Sequence, residues 1–206
     1  MTLATEMLEL SLQEIKKNYS SYGFMVHRDV AWTLQKLFKQ LIEQKNYPLE
    51  VYLNYPLKRG YDTHDYELVI VNQGTNYHDI LRGTQQVEQV IRILFEPSRH
   101  RRDICDHHLP RVRVPKFIDE MKELQSLIDS HLAKQVVLLL VDEYSRHQCE
   151  FNDLEHLSYE SWGTYEDSVL NVSLFIYQNH FQSLKQLPKE NKFSFFLYFD
   201  MFFYNN

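Results

Sequence analysis

Residues 135–141 read QVVLLLV, a glutamine and six consecutive aliphatic residues that follow directly on a helical pattern starting at Pro115. A short run without alternating polar residues is typical of a strand buried on both faces, as in sheets that helices cover on both sides. In the preceding segment the apolar residues recur at helical spacing on one face: Phe117, Ile118, Met121, Leu124 and Ile128. This helix and strand together predict an α/β fold.

The segments before this pair predict two helices and then three strands. Residues 5–17 show a loose helical period, and residues 30–42 show a clear one, with Asp29 as the expected N-cap. The β-rich runs 49–54 and 66–71 predict two antiparallel strands around a turn at residues 58–60, and residues 90–95 predict a third. Residues 165–178 favour one more strand. The central order is therefore helix, three strands, helix, strand.

The composition predicts one folded domain. The 206 residues are 44% hydrophobic and 14% aromatic, enough to close a full core. We expect a single α/β domain over residues 1–180, with its core at about 29–141, and an aromatic-rich extension over residues 181–206. Eight of the twelve residues 193–204 are aromatic. Two interpretations stay open for them: an ordered element closing the core or a homodimer interface, or a tail acquired by a frame shift or cloning.

Targeting and redox signals favour the cytoplasm. The longest aliphatic run is far shorter than the roughly 20 residues that a membrane helix needs, so we expect no membrane partner. Residues 1–20 carry acids before any base and no long apolar stretch, unlike a signal peptide. Cys105 and Cys149 are too few for a disulfide framework.

Several common chemistries lack their motifs. The five glycines are isolated, so neither a P-loop nor a dinucleotide-binding turn is present. No serine lies in a nucleophile elbow, and neither cysteine has the setting of a nucleophile. Residues 105–108, Cys-Asp-His-His, supply metal-binding atoms but no second ligand pair, which favours a polar loop over a zinc site. Trp32 and Trp162 are predicted to lie in the core or at its rim rather than to stack on a ligand.

Positive charge is concentrated in one segment of this acidic chain. The net charge is −6, yet residues 92–116 carry seven basic and three acidic side chains. Such a segment fits the phosphates of DNA or RNA. Pairing with the acidic residues 142–206 of the same chain is the alternative. The candidate nucleic-acid-binding residues are Arg99, Arg101, Arg102, Arg111, Arg113 and Lys116.

The predicted strands also collect carboxylates. Side chains two apart on a strand share a face, so Asp65 lies with Glu67, and Arg92 lies with Leu94 and Glu96. Adjacent strands are expected to bring these two sets together. Glu43, late in the preceding helix, is expected to reach the same place.

The order of elements, Asp65 at the start of the second strand, and Phe95-Glu96-Pro97-Ser98 after the third resemble the restriction-endonuclease-like fold of the PD-(D/E)xK nuclease superfamily. More narrowly, the chain resembles a bacterial group of that fold without a characterised function. Their usual pattern is Glu-aliphatic-Lys followed by aromatic-Glu-Pro-Ser. The resemblance covers roughly residues 29–141.

The resemblance implies a metal site that this chain has lost in part. In the superfamily the Asp and Glu hold Mg²⁺ or Mn²⁺, and the Lys activates the attacking water. Asp65 matches the Asp and is the implied metal ligand, but Arg92 stands at the Glu position and Leu94 at the Lys position. Arginine does not deprotonate in proteins. We therefore expect Arg92 to pair with Asp65 or Glu67 and to substitute for the metal.

Three hypotheses follow from the sequence. The first is a catalytically degenerate nuclease-like protein that binds nucleic acid or has a regulatory role and needs no cofactor. The second is an active metal-dependent nuclease that uses Mg²⁺ or Mn²⁺ at a relocated site, with Asp65, Glu67 and Glu96 as its acids. The third is a homodimeric interaction protein that does not contact nucleic acid.

Overall fold

Helices and strands follow one another in the order that the sequence predicts for its central part. The computed structural model describes residues 2–59, 62–98, 112–143, 147, 157–165 and 170–180. The elements are α1 Leu3–Lys17, α2 Tyr19–Tyr22, α3 His27–Lys45, β1 Leu49–Arg59, β2 Asp62–Asn72, α4 Tyr77–Leu81, β3 Gln89–Glu96, α5 Val114–Asp129, β4 Gln135–Asp142, β5 Leu157–Tyr165 and β6 Leu170–His180.

The strands form one mixed sheet in the order β1-β2-β3-β4-β6-β5. Neighbouring strands are antiparallel except β3 and β4, which are parallel. Parallel neighbours need a crossover connection, and α5 lies in the segment that joins these two strands. All eight residues of β4 are buried, as its aliphatic run predicts. The predicted α/β architecture, a mixed sheet flanked by helices, is confirmed.

Two hydrophobic cores cover the two faces of the sheet. One packs α1 and α3 against one side of the central strands, where Leu68, Ile91 and Leu139 lie. The other packs α5 against the opposite side, where Val90 and Leu138 lie. Helix α5 contributes Phe117, Leu124 and Ile128, three members of its predicted apolar face, to this second core.

Several local expectations need correction. Asp29 is not the N-cap of α3 but lies at its third position, where its carboxylate accepts hydrogen bonds from the N–H groups of Met25 and Val26. Strand β5 was not predicted. Trp162 is buried, as expected, whereas Trp32 is 54% exposed. Residues 181–206 lie outside the described part of the chain. Within that part, no helix combines the length and the apolar character needed to cross a membrane.

Candidate functional site: the α3–β2 cleft and the Arg92 group

Strands β2 and β3 pair over only three positions, from Leu68 with Ile91 to Ile70 with Gln89. The start of β2 therefore diverges from the second half of β3. A cleft lies beside this part of β2, between it, β1 and the start of α3, and we call it the α3–β2 cleft. It is lined by His27, Arg28, Ala31, Trp32, Leu53, Asn54, Asp65 and Glu67.

The hairpin that forms one wall of the cleft is twisted at Asn54. Leu53 packs in the core on the α3 side, yet Leu57 packs on the α5 side, although regular alternation would place both on one face. Asn54 has a φ of 48°, a left-handed conformation that asparagine tolerates better than most residues. Tyr66, on the partner strand, also faces α5 and donates a hydrogen bond to Glu123.

Arg92 lies between acids from two elements. Its Nε is 2.8 Å from Glu120 Oε2 of α5 and 3.7 Å from Glu67 Oε2 of β2. Its Nη1 donates a 3.2 Å hydrogen bond to the backbone carbonyl of Asp65. The guanidinium also lies 5.6 Å from the centre of the Tyr66 ring. Arg92 thus bridges the gap where β2 and β3 no longer pair.

Burial dominates the electrostatics of this group. The side chains of Arg92, Glu67 and Glu120 are only 20%, 18% and 14% exposed. Burial raises the pKa of Glu67 more than the charge of Arg92 lowers it. Burial also opposes the charge of Arg92, but Glu67 and Glu120 outweigh it, so the pKa of Arg92 is raised. One cation therefore compensates two carboxylates.

The contacts of Arg92 with Glu67 and Glu120 are ionic rather than well-aligned hydrogen bonds. Although Nε is close to Glu120 Oε2, that oxygen accepts no hydrogen bond of good geometry, and neither does Glu67 Oε2. Both atoms are fully buried. Proximity of charge therefore holds these two oxygens beside the guanidinium.

The predicted acids do not form one site. Asp65 and Glu67 both line the α3–β2 cleft, with Asp65 exposed. Glu43 does not reach it, because it lies roughly 20 Å along α3 from Arg28 at 1.5 Å per residue. Leu94 is part of the core on the α5 side. Among the described residues no group of three or more His, Cys, Asp or Glu could hold a metal ion.

Glu96 belongs to a second, buried polar cluster at the ends of β3 and β4. Its Oε2 accepts a 2.9 Å hydrogen bond from the N–H of Val112 and lies 2.8 Å from Nε2 of His147. Asp142 accepts from the N–H of His147. Glu143 accepts from the N–H of Ser98 and from the hydroxyl of Tyr19. These carboxylates hold the chain where it leaves the strands.

Several cations lie at the starts of α3 and α5. Arg113 and Lys116, at the start of α5, are both exposed. Burial, together with the charges of Arg28, Lys116 and Arg92, lowers the pKa of His27. Those three cations, from three different elements, are therefore close enough to act on one imidazole. The other predicted phosphate-binding residues lie outside the described part of the chain: Arg99, Arg101, Arg102 and Arg111.

Two residues of these sites were missed in the sequence. Glu120 lies three residues after Phe117 and four before Leu124, which places it beside the buried face of α5. An acid at such a position is a signal that a buried cation lies opposite. His147 gave no signal, because its contact with Glu96 depends on how the chain turns after β4.

Comparisons of the chain with protein-family models, with curated proteins and with solved structures found no match.

Proposed function

We propose that this chain is a catalytically degenerate protein of the restriction-endonuclease-like, PD-(D/E)xK type, which binds DNA or RNA in the cytoplasm without cutting it. The observation that carries the proposal is the position of Arg92. Its guanidinium lies against Glu67 and Glu120, at the strand position where the resemblance places a metal-binding Glu.

A fixed cation at this place opposes divalent metal binding. Like charges a few ångströms apart repel strongly where water is largely excluded. Arg92 also already compensates Glu67, an acid that would otherwise be a candidate metal ligand. Asp65 is left as a single exposed carboxylate in the cleft. A lone carboxylate is a weak ligand for Mg²⁺ or Mn²⁺.

Calorimetric titration with Mn²⁺ tests this part of the proposal. We expect no binding heat for the wild-type protein or for Asp65→Ala. In Arg92→Glu, three carboxylates would surround the position of the cation, so we expect Mn²⁺ binding and a rise in Tm with Mn²⁺. If wild-type protein binds Mn²⁺ and Asp65→Ala does not, the chain has a functional metal site at Asp65 and the proposal fails. This comparison stands even if Arg92→Glu does not fold.

The basic segment supports the nucleic-acid part of the proposal. Residues 92–116 carry a net charge of +4 in a chain whose net charge is −6. The end of this segment contributes Arg113 and Lys116, both exposed, at the start of α5. Cations concentrated on one part of a surface are the electrostatic mark of phosphate binding.

Salt dependence of oligonucleotide binding tests that part. We expect the dissociation constant to rise steeply with salt, and the double variant Arg101→Ala/Arg102→Ala to reduce the log–log slope by about two, roughly one for each phosphate that is no longer neutralised. Lys16→Ala/Lys17→Ala removes the same charge from the end of α1, which does not line the α3–β2 cleft, and should leave the slope unchanged. Equal effects of both variants would indicate net charge alone, and salt-independent or absent binding would overturn the proposal.

The other two hypotheses have less support. A relocated nuclease site needs Glu67 and Glu96 together, but Glu67 faces Arg92 whereas Glu96 faces His147. The homodimer hypothesis depends on residues 193–206, which lie outside the described part of the chain.

A further inference from the structure

Trp32 is the most exposed large apolar side chain among the described residues, at 54%. It lies on α3 one turn after Arg28, and both residues line the α3–β2 cleft. Met25 and Val26, immediately before this helix, are exposed as well. Exposed apolar surface is therefore concentrated at the start of α3, beside the cations described above. Such local concentration is typical of a binding surface.

Positive and negative side chains lie on opposite walls of the cleft beside Trp32. Arg28 lines the cleft on the α3 side, one turn before Trp32. Asp65 and Glu67 line the opposite wall, on β2. A phosphate would be attracted to Arg28 and repelled by the carboxylates. We therefore place the backbone of a nucleotide chain along the start of α3, with its bases towards Trp32.

The shape of the cleft decides how a base can be held. Its open space is about 50 Å³, too small to enclose a nucleobase. The exposed indole offers a flat surface outside it. Stacking on such a surface needs an unpaired base, because the faces of bases in a duplex are already covered by their neighbours. An aromatic side chain next to a cationic track is the arrangement that binds single strands.

We infer that Trp32 stacks on an unpaired base of a single-stranded nucleic acid whose phosphates contact Arg28. This inference rests on the proposed function and names its substrate class. RNA and DNA offer the same base and phosphate chemistry, so both are arms of the test.

The two tryptophans make a direct test available. Trp162 is 6% exposed and packs edge-on against Tyr19, whereas Trp32 is open to solvent. In Trp162→Phe the remaining indole is Trp32, and in Trp32→Phe it is Trp162. We would titrate the full chain and each variant with oligo(dT), oligo(U) and a duplex of equal length, and record tryptophan fluorescence.

We expect single strands to quench the fluorescence of Trp162→Phe strongly and that of Trp32→Phe little. By anisotropy with a labelled oligonucleotide, Trp32→Ala should bind single strands at least about tenfold more weakly, the loss expected for one stacked base. Trp32→Phe, which keeps an aromatic plane, should retain most of the affinity. Tyr159→Ala, which removes an exposed aromatic ring from β5, is the matched control and should bind as the wild type does.

The outcomes separate the two proposals. Salt-dependent binding with no Trp32 quenching and no loss in Trp32→Ala would overturn the stacking role and leave the proposed function in place. Tighter binding of the duplex than of either single strand would overturn it as well. Absence of binding to all three probes would overturn both. An unchanged Tm of Trp32→Ala checks that its effect is local.

Discussion

Arg92→Met is expected to lower the free energy of unfolding by about 3 kcal/mol near neutral pH, the low end of the cost of breaking a buried ion pair from one side. The substitution keeps an unbranched apolar side chain but removes the guanidinium. Glu67 and Glu120 are then left in a mostly buried place without the cation that compensates them. Urea denaturation of both proteins measures the difference.

The deficit of Arg92→Met should depend on pH. In the wild type the pKa of Glu67 is already raised, so the folded state binds its proton more tightly than the unfolded state does. Stability from this group is therefore greatest below its ordinary pKa and falls as the pH rises through the raised one. Without Arg92 the Glu67 carboxylate is harder still to ionise. The pH range over which stability from this group falls therefore extends to higher pH. The deficit should shrink towards about pH 4, where Glu67 is protonated in the folded state and no longer needs the cation.

Glu67→Gln is the matched control for this prediction. Since burial outweighs the attraction of Arg92 in setting the pKa of Glu67, a neutral amide should be tolerated or should stabilise the protein near neutral pH. Combined with Arg92→Met, it should recover part of the lost stability. If Arg92→Met unfolds at the same urea concentration as the wild type at every pH, Arg92 does not compensate these acids and the explanation is wrong.

Local patterns in the sequence predicted the centre of the fold well. Helix α3 and strand β4 have strong signals, a helical period and an unbroken apolar run, because each buries one stripe or both faces. Strand β5 has neither a periodic pattern nor an apolar run. It lies at the edge of the sheet, and four of its nine residues, 158–161, are exposed, so its sequence carries no burial period. Pairing with β6 defines it, and that is a tertiary contact.

The candidate site was predictable only where strand geometry governs it. Alternation and adjacency were enough to expect Arg92 beside an acid of β2, and the partner is Glu67. The carbonyl of Asp65, the carboxylate of Glu120 and the twist at Asn54 depend on packing between distant segments. The expected union of Glu96 with Asp65 is not observed, because β2 and β3 separate before reaching it. The exposure of Trp32 likewise depends on tertiary packing, because no described segment covers the start of α3.

Glu96→Ala is expected to destabilise the protein by about 3 kcal/mol, since it removes the acceptor of the buried N–H of Val112, which costs about 1–3 kcal/mol to leave unsatisfied, and also the carboxylate beside His147. Glu96, Val112 and His147 are all nearly inaccessible to solvent. The N–H of Val112 loses its 2.9 Å hydrogen bond, and His147 loses its 2.8 Å interaction with the carboxylate. The truncation also leaves a cavity beside β4. Urea denaturation of the variant measures the sum.

Glu96→Gln separates the hydrogen bond from the charge. Its amide oxygen can still accept from the N–H of Val112, but the side chain no longer carries a negative charge opposite His147. We expect its free energy of unfolding to lie between those of the wild type and Glu96→Ala. Val112 follows directly on residues 99–111, and the N–H of Ser98, just before them, is held by Glu143. A drop in stability with unchanged oligonucleotide affinity would show that Glu96 supports the fold alone. If Glu96→Ala is as stable as the wild type, the buried polar cluster does not hold the chain at Ser98 and Val112.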